Sequence, residues 1–198
     1  MSRTITVGTR GSKLALAQTE AVIAGLRDVS QGMDIGMRVI ASSGDEHPEA
    51  PIESRGVGAF TSAIEMALLS GHIDLAVHSL KDLPVDQPHG LIALPVLQRE
   101  DARDVLVNRW NSKLIDLPAG ARIGTSSTRR AAQLTYGRKD IHLIPVRGNI
   151  ETRISKISAS NYDGMILAAA GLIRLGLTEH IAEYLSPGIC TPAPGQAA

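Results

Sequence analysis

VGTRGSKLALA, Val7 to Ala17, and IGTSSTRRAAQ, Ile123 to Gln133, overlay without a gap. Each reads as the end of a strand, a Gly-Thr pair, a polar turn and then an alanine-rich helix. The echo predicts two similar βα domains, and 198 residues is enough chain for two small ones. Each helix start leaves backbone N–H groups without intrahelical partners, and Ser12 and Ser127 or Thr128 stand where a cap belongs. A cationic side chain follows in both copies, so both helix ends are suited to an anion.

Working outward, short runs rich in Val and Ile alternate with helical patterns, which predicts an α/β chain with a largely parallel sheet. Strands are predicted near Thr4–Gly8, Ile35–Ala41, Ile73–Val77, Leu91–Val96, Asp104–Asn108, Arg122–Gly124, Ile141–Val146 and Gly164–Ala168. Helices are predicted near Leu14–Leu26, Phe60–Ser70, Thr128–Tyr136, Ile150–Ser158 and Gly171–Leu175. Between the second strand and second helix lies SSGDEHPEAPIESRGVGA, a loop crowded with Gly, Pro and charge and longer than an ordinary connection.

Composition excludes several function classes. Formal net charge is zero, so no overall field draws the chain to nucleic acid or an anionic membrane. Locally the balance differs. From Arg122 to Lys156 there are eight basic residues against Asp140 and Glu151, and Arg129, Arg130, Arg147 and Arg153 fall where strands end and helices begin. In an open α/β sheet those ends bind ligands, and arginine grips carboxylates or phosphates with two donors at once. Aromatic residues make up only 3%, so stacked bases are poorly provided for and a small polyanion fits better. No apolar run is long enough to span a bilayer, and the start MSRTITVGTR lacks a signal-peptide core, so a cytoplasmic protein is expected. One cysteine, Cys190, and six histidines without HxxxH or HExxH spacing predict no metal site.

AVHSLKDLPV, Ala76 to Val85, sets His78, Ser79, Lys81 and Asp82 directly behind an apolar run. An Asx-type turn before Leu83-Pro84 accounts for Asp82 structurally. An acid–base role is the chemical alternative.

Taken together, VGTRGSKLALAQ, AVHSLKDLPV, IGTSSTRRAAQL, PVRGNIETRISK, LAAAGLIRLGL and PAPGQ resemble, in order, the signature segments of hydroxymethylbilane synthase, also called porphobilinogen deaminase. The resemblance implies a transferase of porphyrin and heme biosynthesis that condenses four porphobilinogen molecules head to tail, releasing ammonia each time, on a dipyrromethane primer. It implies two domains like periplasmic binding proteins of the type II, transferrin-like kind with a cleft between them, domain 1 being residues 1–97 plus 193–198 and domain 2 residues 98–192. The crossings at QREDARD and CTPAPGQ would act as a hinge. Asp82 is implied as proton donor and cation stabiliser, with Lys81 and Ser79 gripping carboxylates. The implied cleft arginines are Arg10, Arg129, Arg130, Arg147, Arg153 and Arg174. Ser12, Gln18, Thr125, Ser126 and Ser127 match the neutral donors, Gly148 and Asn149 the turn that holds Arg147, and Gln196 the second crossing.

The sequence also departs from the family pattern. Where the family often reads GGKGLF, this chain reads RGVGAF, so the loop lysine is absent; Arg55 offers a charge from a different point and Phe60 matches the loop phenylalanine. The family's third domain, which carries the primer cysteine, is not represented, and Cys190 does not match that cysteine's position. A fragment and a natural short form both remain open. The expected partner is porphobilinogen, with no nucleic acid, no membrane and a monomeric state. The alternative is a two-lobed receptor for a small polycarboxylate without turnover.

Overall fold

A computed structural model describes residues 4–30, 32–41, 61–159 and 161–198. The chain divides into two compact units, Met1–Gln98 with Ala198, and Arg99–Ala197. Residues 193–197, assigned from the sequence to the first domain, therefore group with the second unit.

In the first unit, β1 (Ile5–Thr9), β2 (Ile35–Val39) and β3 (Leu75–Ala76) form a parallel sheet of order β2-β1-β3, with Ile5 opposite Ile35 and Gly8 opposite Ala76. The helices α1 (Lys13–Val29) and α2 (Ser62–Leu69) belong to this unit. Ser12 caps α1, its hydroxyl accepting from Ala15 N at 3.3 Å, and Arg27 in the last turn complements the helix dipole while donating to Ile35 O at 2.9 Å. Val7, Ile23 and Ile35 are buried together. Gly8 permits this closeness, because a Cβ there would lie 2.3 Å from Ile73 Cδ1.

The second unit holds a five-stranded sheet of order β6-β5-β7-β4-β8, built from β4 (Asp104–Asn108), β5 (Arg122–Gly124), β6 (His142–Ile144), β7 (Gly164–Ala168) and β8 (Glu183–Tyr184). Strands β5, β6 and β7 are parallel, whereas β4 runs antiparallel to both β7 and β8. The sheet is mixed, not the largely parallel one predicted. Every residue of β4 and the first four of β7 are buried, as their continuous apolar runs require of central strands. Two buried clusters flank this sheet, one around Leu106, Ile123 and Ile166 and the other around Val105, Met165 and Leu172. The helices are α3 (Thr128–Gly137), α4 (Ile150–Ser158) and α5 (Ala169–Arg174).

One predicted strand does not form. Residues 91–96 make no sheet pairing, and Ile92, Leu94 and Val96 are exposed. Pro95 cannot donate to a ladder. Pro145 likewise ends β6 at Ile144, before the predicted Val146. The described residues contain no helix long and apolar enough to cross a membrane.

Candidate active site

In the first unit, neighbouring parallel strands β1 and β3 bring two predicted segments together at their C-terminal ends. Gly8 O accepts from Val77 N at 3.1 Å, so the Arg10-Gly11-Ser12 turn and the His78–Asp82 segment leave the sheet side by side. Gln18, buried on α1, hydrogen-bonds Ser79 Oγ at 3.1 Å and fixes the segment against the helix. Leu80–Asp82 then form one 3-10 turn, with Asp82 N donating to Ser79 O at 2.9 Å. This turn leaves Lys81 and Asp82 exposed. His78 has its pKa lowered by burial, against the opposing pull of Asp82 and Glu65 and with the help of Arg10. The Asp82 carboxyl and the Arg10 guanidinium are thus within electrostatic reach of the His78 imidazole. The backbone is satisfied by Leu80 N donating to Ala198 O at 3.0 Å.

In the second unit, the ends of β5 and β6 are neighbours, with Thr125 N donating to Ile144 O at 2.9 Å. Ser126 and Ser127 serve the fold there. Ser126 Oγ donates to Val146 O at 2.6 Å and accepts from Val146 N at 2.9 Å, and Ser127 caps α3 by accepting from Arg130 N. Thr125 Oγ1 accepts from Ser127 N at 3.2 Å. After β6, Gly148 takes φ +111°, which L side chains rarely adopt, and a Cβ there would lie 2.9 Å from Thr152 Cγ2. Asn149 occupies the N-cap of α4. The turn is held from inside the helix: Arg153 Nε donates to Gly148 O at 2.7 Å and Lys156 Nζ to Arg147 O at 3.0 Å.

Arg153 feels the charge of Arg130 at this end. Burial, and then the charge of Arg130, lower the pKa of Arg153. Burial also lowers that of Arg174, against the pull of Glu100, and Arg174 donates to Ala197 O at 3.0 Å. Cationic side chains where parallel strands end, beside the N-termini of α3 and α4, are of the kind that suits an anion.

Arg130 and Gln196, both predicted to bind ligand, are buried and committed to partners within the fold. Arg130, 8% exposed, donates Nε and Nη2 to Asp104 Oδ1 at 3.1 and 2.7 Å and Nη1 to Ile166 O at 3.1 Å. Gln196, 1% exposed, donates to Ala102 O at 2.7 Å and to Asp104 Oδ1 at 2.8 Å. Sequence reasoning missed Asp104 itself. The readable signal was an acid opening the otherwise apolar strand DVLVN, since a buried carboxylate needs a counter-charge. Burial pushes the Asp104 carboxyl up, yet the charge of Arg130 and hydrogen bonds from Arg130, Arg129 and Gln196 hold it below the ordinary range.

Cys190 is fully buried, and burial followed by the Asp104 charge pushes its thiol up to about 11. Arg55 and Phe60 lie outside the described residues, as does all of the 42–57 loop. Among the described residues no group of three or more His, Cys, Asp or Glu is disposed to hold a metal ion.

Over residues 5–198 the chain matches the family model described as "Porphobilinogen deaminase, dipyromethane cofactor binding domain". It is 50% identical over 200 residues to a porphobilinogen deaminase of Deinococcus deserti, a match covering 99% of this chain and 64% of that protein. It is 46% identical over 196 residues to the porphobilinogen deaminase of Thermus thermophilus, again covering 99% and 64%. The chain therefore spans somewhat less than two thirds of the length of these curated relatives. Among solved structures it is similar to a periplasmic substrate-binding protein of an ABC transporter from Coxiella burnetii, with a TM-score of 0.52 at 14% identity, covering 92% of this chain and 80% of that one. That likeness concerns the fold alone, which is of the type II periplasmic-binding-protein kind.

Proposed function

Because this chain belongs to the porphobilinogen deaminase family, we propose that it is the substrate-activating and carboxylate-binding portion of a hydroxymethylbilane synthase. The observation that carries the reading is the placement of Arg129, Arg147 and Arg153 where β5 and β6 end and α3 and α4 begin, cationic groups at helix N-termini that suit an anionic ligand. Porphobilinogen bears acetate and propionate arms, so it presents the carboxylates such a cluster takes.

Asp82 is the proposed acid. It delivers a proton to the aminomethyl nitrogen of porphobilinogen; the C–N bond then breaks, both electrons leave with ammonia, and the methylene carbon becomes part of a cationic azafulvene. The ionised Asp82 carboxylate left behind stabilises that cation. An acceptor pyrrole held by Arg129, Arg147 and Arg153 would supply the α-carbon for the new C–C bond and would give up its α-hydrogen as a proton. His78, lowered in pKa beside Asp82, is kept neutral and leaves the charge of the carboxylate uncancelled. Arg10, Lys81 and Ser79 of the first unit and Arg129, Arg147 and Arg153 of the second are the proposed grips for the acetate and propionate arms that substrate and acceptor both carry.

A dipyrromethane group, when bound, supplies the nucleophilic pyrrole carbon. The donor set of the second unit fits its carboxylates, whereas the Cys190 thiol, buried and hydrogen-bonded to Asp104 Oδ2 at 3.2 Å, does not fit as its point of attachment. Ammonia release from porphobilinogen tests the reading. The wild-type chain should release ammonia and Asp82→Asn should not; binding without release by the wild type would make the chain a receptor.

A further inference from the structure

Five donors converge on the Asp104 carboxylate: Arg130 Nε, Arg130 Nη2 and Gln196 Nε2 on Oδ1, and Arg129 Nη2 and the Cys190 thiol on Oδ2. The distances from Arg130 Nη2 and Arg129 Nη2 are both 2.7 Å. These arginines are successive residues in the first turn of α3, where the helix dipole is already positive. Two guanidiniums side by side at that position repel each other and the helix end, and Arg130 is buried. One carboxylate, with an oxygen for each, allows both to be held.

The two are not held alike. The Arg130 side chain is 10% exposed and spends its remaining donor on Ile166 O, whereas that of Arg129 is 25% exposed. Arg129 also donates Nη1 to Thr191 O and to Cys190 Sγ. Two positive charges against one negative leave a net positive charge, and solvent reaches it on the Arg129 side.

We propose that Asp104 is a positioning residue that divides the arginine pair into a buried strut, Arg130, and a pre-set anion contact, Arg129. This rests on the functional reading above, in which ligand carboxylates meet the start of α3. Fixing the Arg129 guanidinium before the ligand arrives removes an ordering cost that a flexible side chain would otherwise meet on binding. Gln196 adds a link. It joins Asp104 to Ala102 O, so the segments by which the chain enters and leaves this unit are tied to the same carboxylate.

Asp104→Asn tests the proposal. It keeps size and one acceptor oxygen, removes the charge and can turn an NH2 toward Arg129. Porphobilinogen affinity measured by calorimetry should fall about 10-fold, roughly 1.4 kcal/mol. Arg129→Leu should cost a similar amount, and the double variant should lose no more than Arg129→Leu alone, because Asp104 acts through Arg129. A merely structural Asp104 would give additive losses, and that result, or wild-type affinity in folded Asp104→Asn, overturns the proposal. If Asp104→Asn does not fold, the wild type decides by nitrogen-15 NMR: guanidinium protons of Arg129 and Arg130 should exchange with water more slowly than those of exposed Arg103, and equal exchange overturns it. A wild type that binds no porphobilinogen would sink the functional reading alone, since guanidinium exchange still reads whether Asp104 holds the pair.

Discussion

Arg130 and Arg147 are both arginines where a helix or strand ends, yet their loss should be felt in different quantities. Arg130→Leu leaves the buried Asp104 without the more buried of its two counter-charges. Stripping one partner from a buried pair typically costs about 3 to 5 kcal/mol, so urea unfolding should show a much earlier midpoint. Arg147 is half-buried on the turn carried by Gly148. Arg147→Leu should instead weaken porphobilinogen binding by about 1.5 to 3 kcal/mol with a smaller change in unfolding, and lysine should restore only part of the loss. Unchanged affinity in Arg147→Leu would remove it from the site. Asp104 also sets a pH signature. Its carboxyl is depressed in the folded state, so its contribution to stability is present above the ordinary carboxylate range and is lost as pH falls through the folded pKa. Cys190 works at the other end: its folded pKa is raised to about 11 from 9.0, so its contribution is present below 9.0 and lost between 9.0 and about 11. Iodoacetamide at pH 8 should accordingly leave Cys190 unmodified on intact mass unless urea is added. Rapid labelling in buffer would contradict the buried thiol.

At the scale of elements, the turn after β6 depends on a single glycine. Gly148→Ala meets both a positive φ and Thr152, so it should destabilise the protein by about 1 to 3 kcal/mol and displace Arg153, whose Nε is held by Gly148 O. Ser127→Ala should cost about 1 kcal/mol through the lost cap of α3. Neither loss should appear if these contacts are incidental. The same elements explain what the sequence made legible. Strands Asp104–Asn108, Arg122–Gly124 and Gly164–Ala168 and helix Ile150–Ser158 fall where the apolar periodicity put them, because each buries its pattern against the sheet. The two Gly-Thr turns were legible because a cap serine and a tight glycine are local requirements. Residues 91–96 misled because alternation describes a strand's faces and says nothing about its neighbour. The direction of β4 was hidden for a similar reason, since a fully buried strand reads the same in a parallel or an antiparallel ladder. Asp104 and its arginines are far apart in sequence, and only the sheet joins them.

Across the chain, the two units are built to different depths. The second has a five-stranded sheet between two buried clusters, while the described residues of the first give three strands and one small cluster around Val7. Amide exchange should reflect this: amides of β4 and β7 should be protected longest, and those of β1 and β2 should open at lower free energy. Equal protection would mean that the chain unfolds as a single cooperative block. The first unit also carries the exposed apolar residues of the segment that forms no strand, Ile92 at 82%, Leu94 at 70% and Val96 at 64%. Their spacing of two puts them on one side of an extended backbone, and the segment's own ladder groups make no described pairing. In solution this is a colloidal property. With zero formal net charge there is no long-range repulsion between copies, so two such edges can meet and pair. Light scattering should rise with concentration near neutral pH, and Ile92→Lys with Leu94→Lys should suppress it, the added positive charge acting both by keeping copies apart and by making the edge a poor template for a second strand.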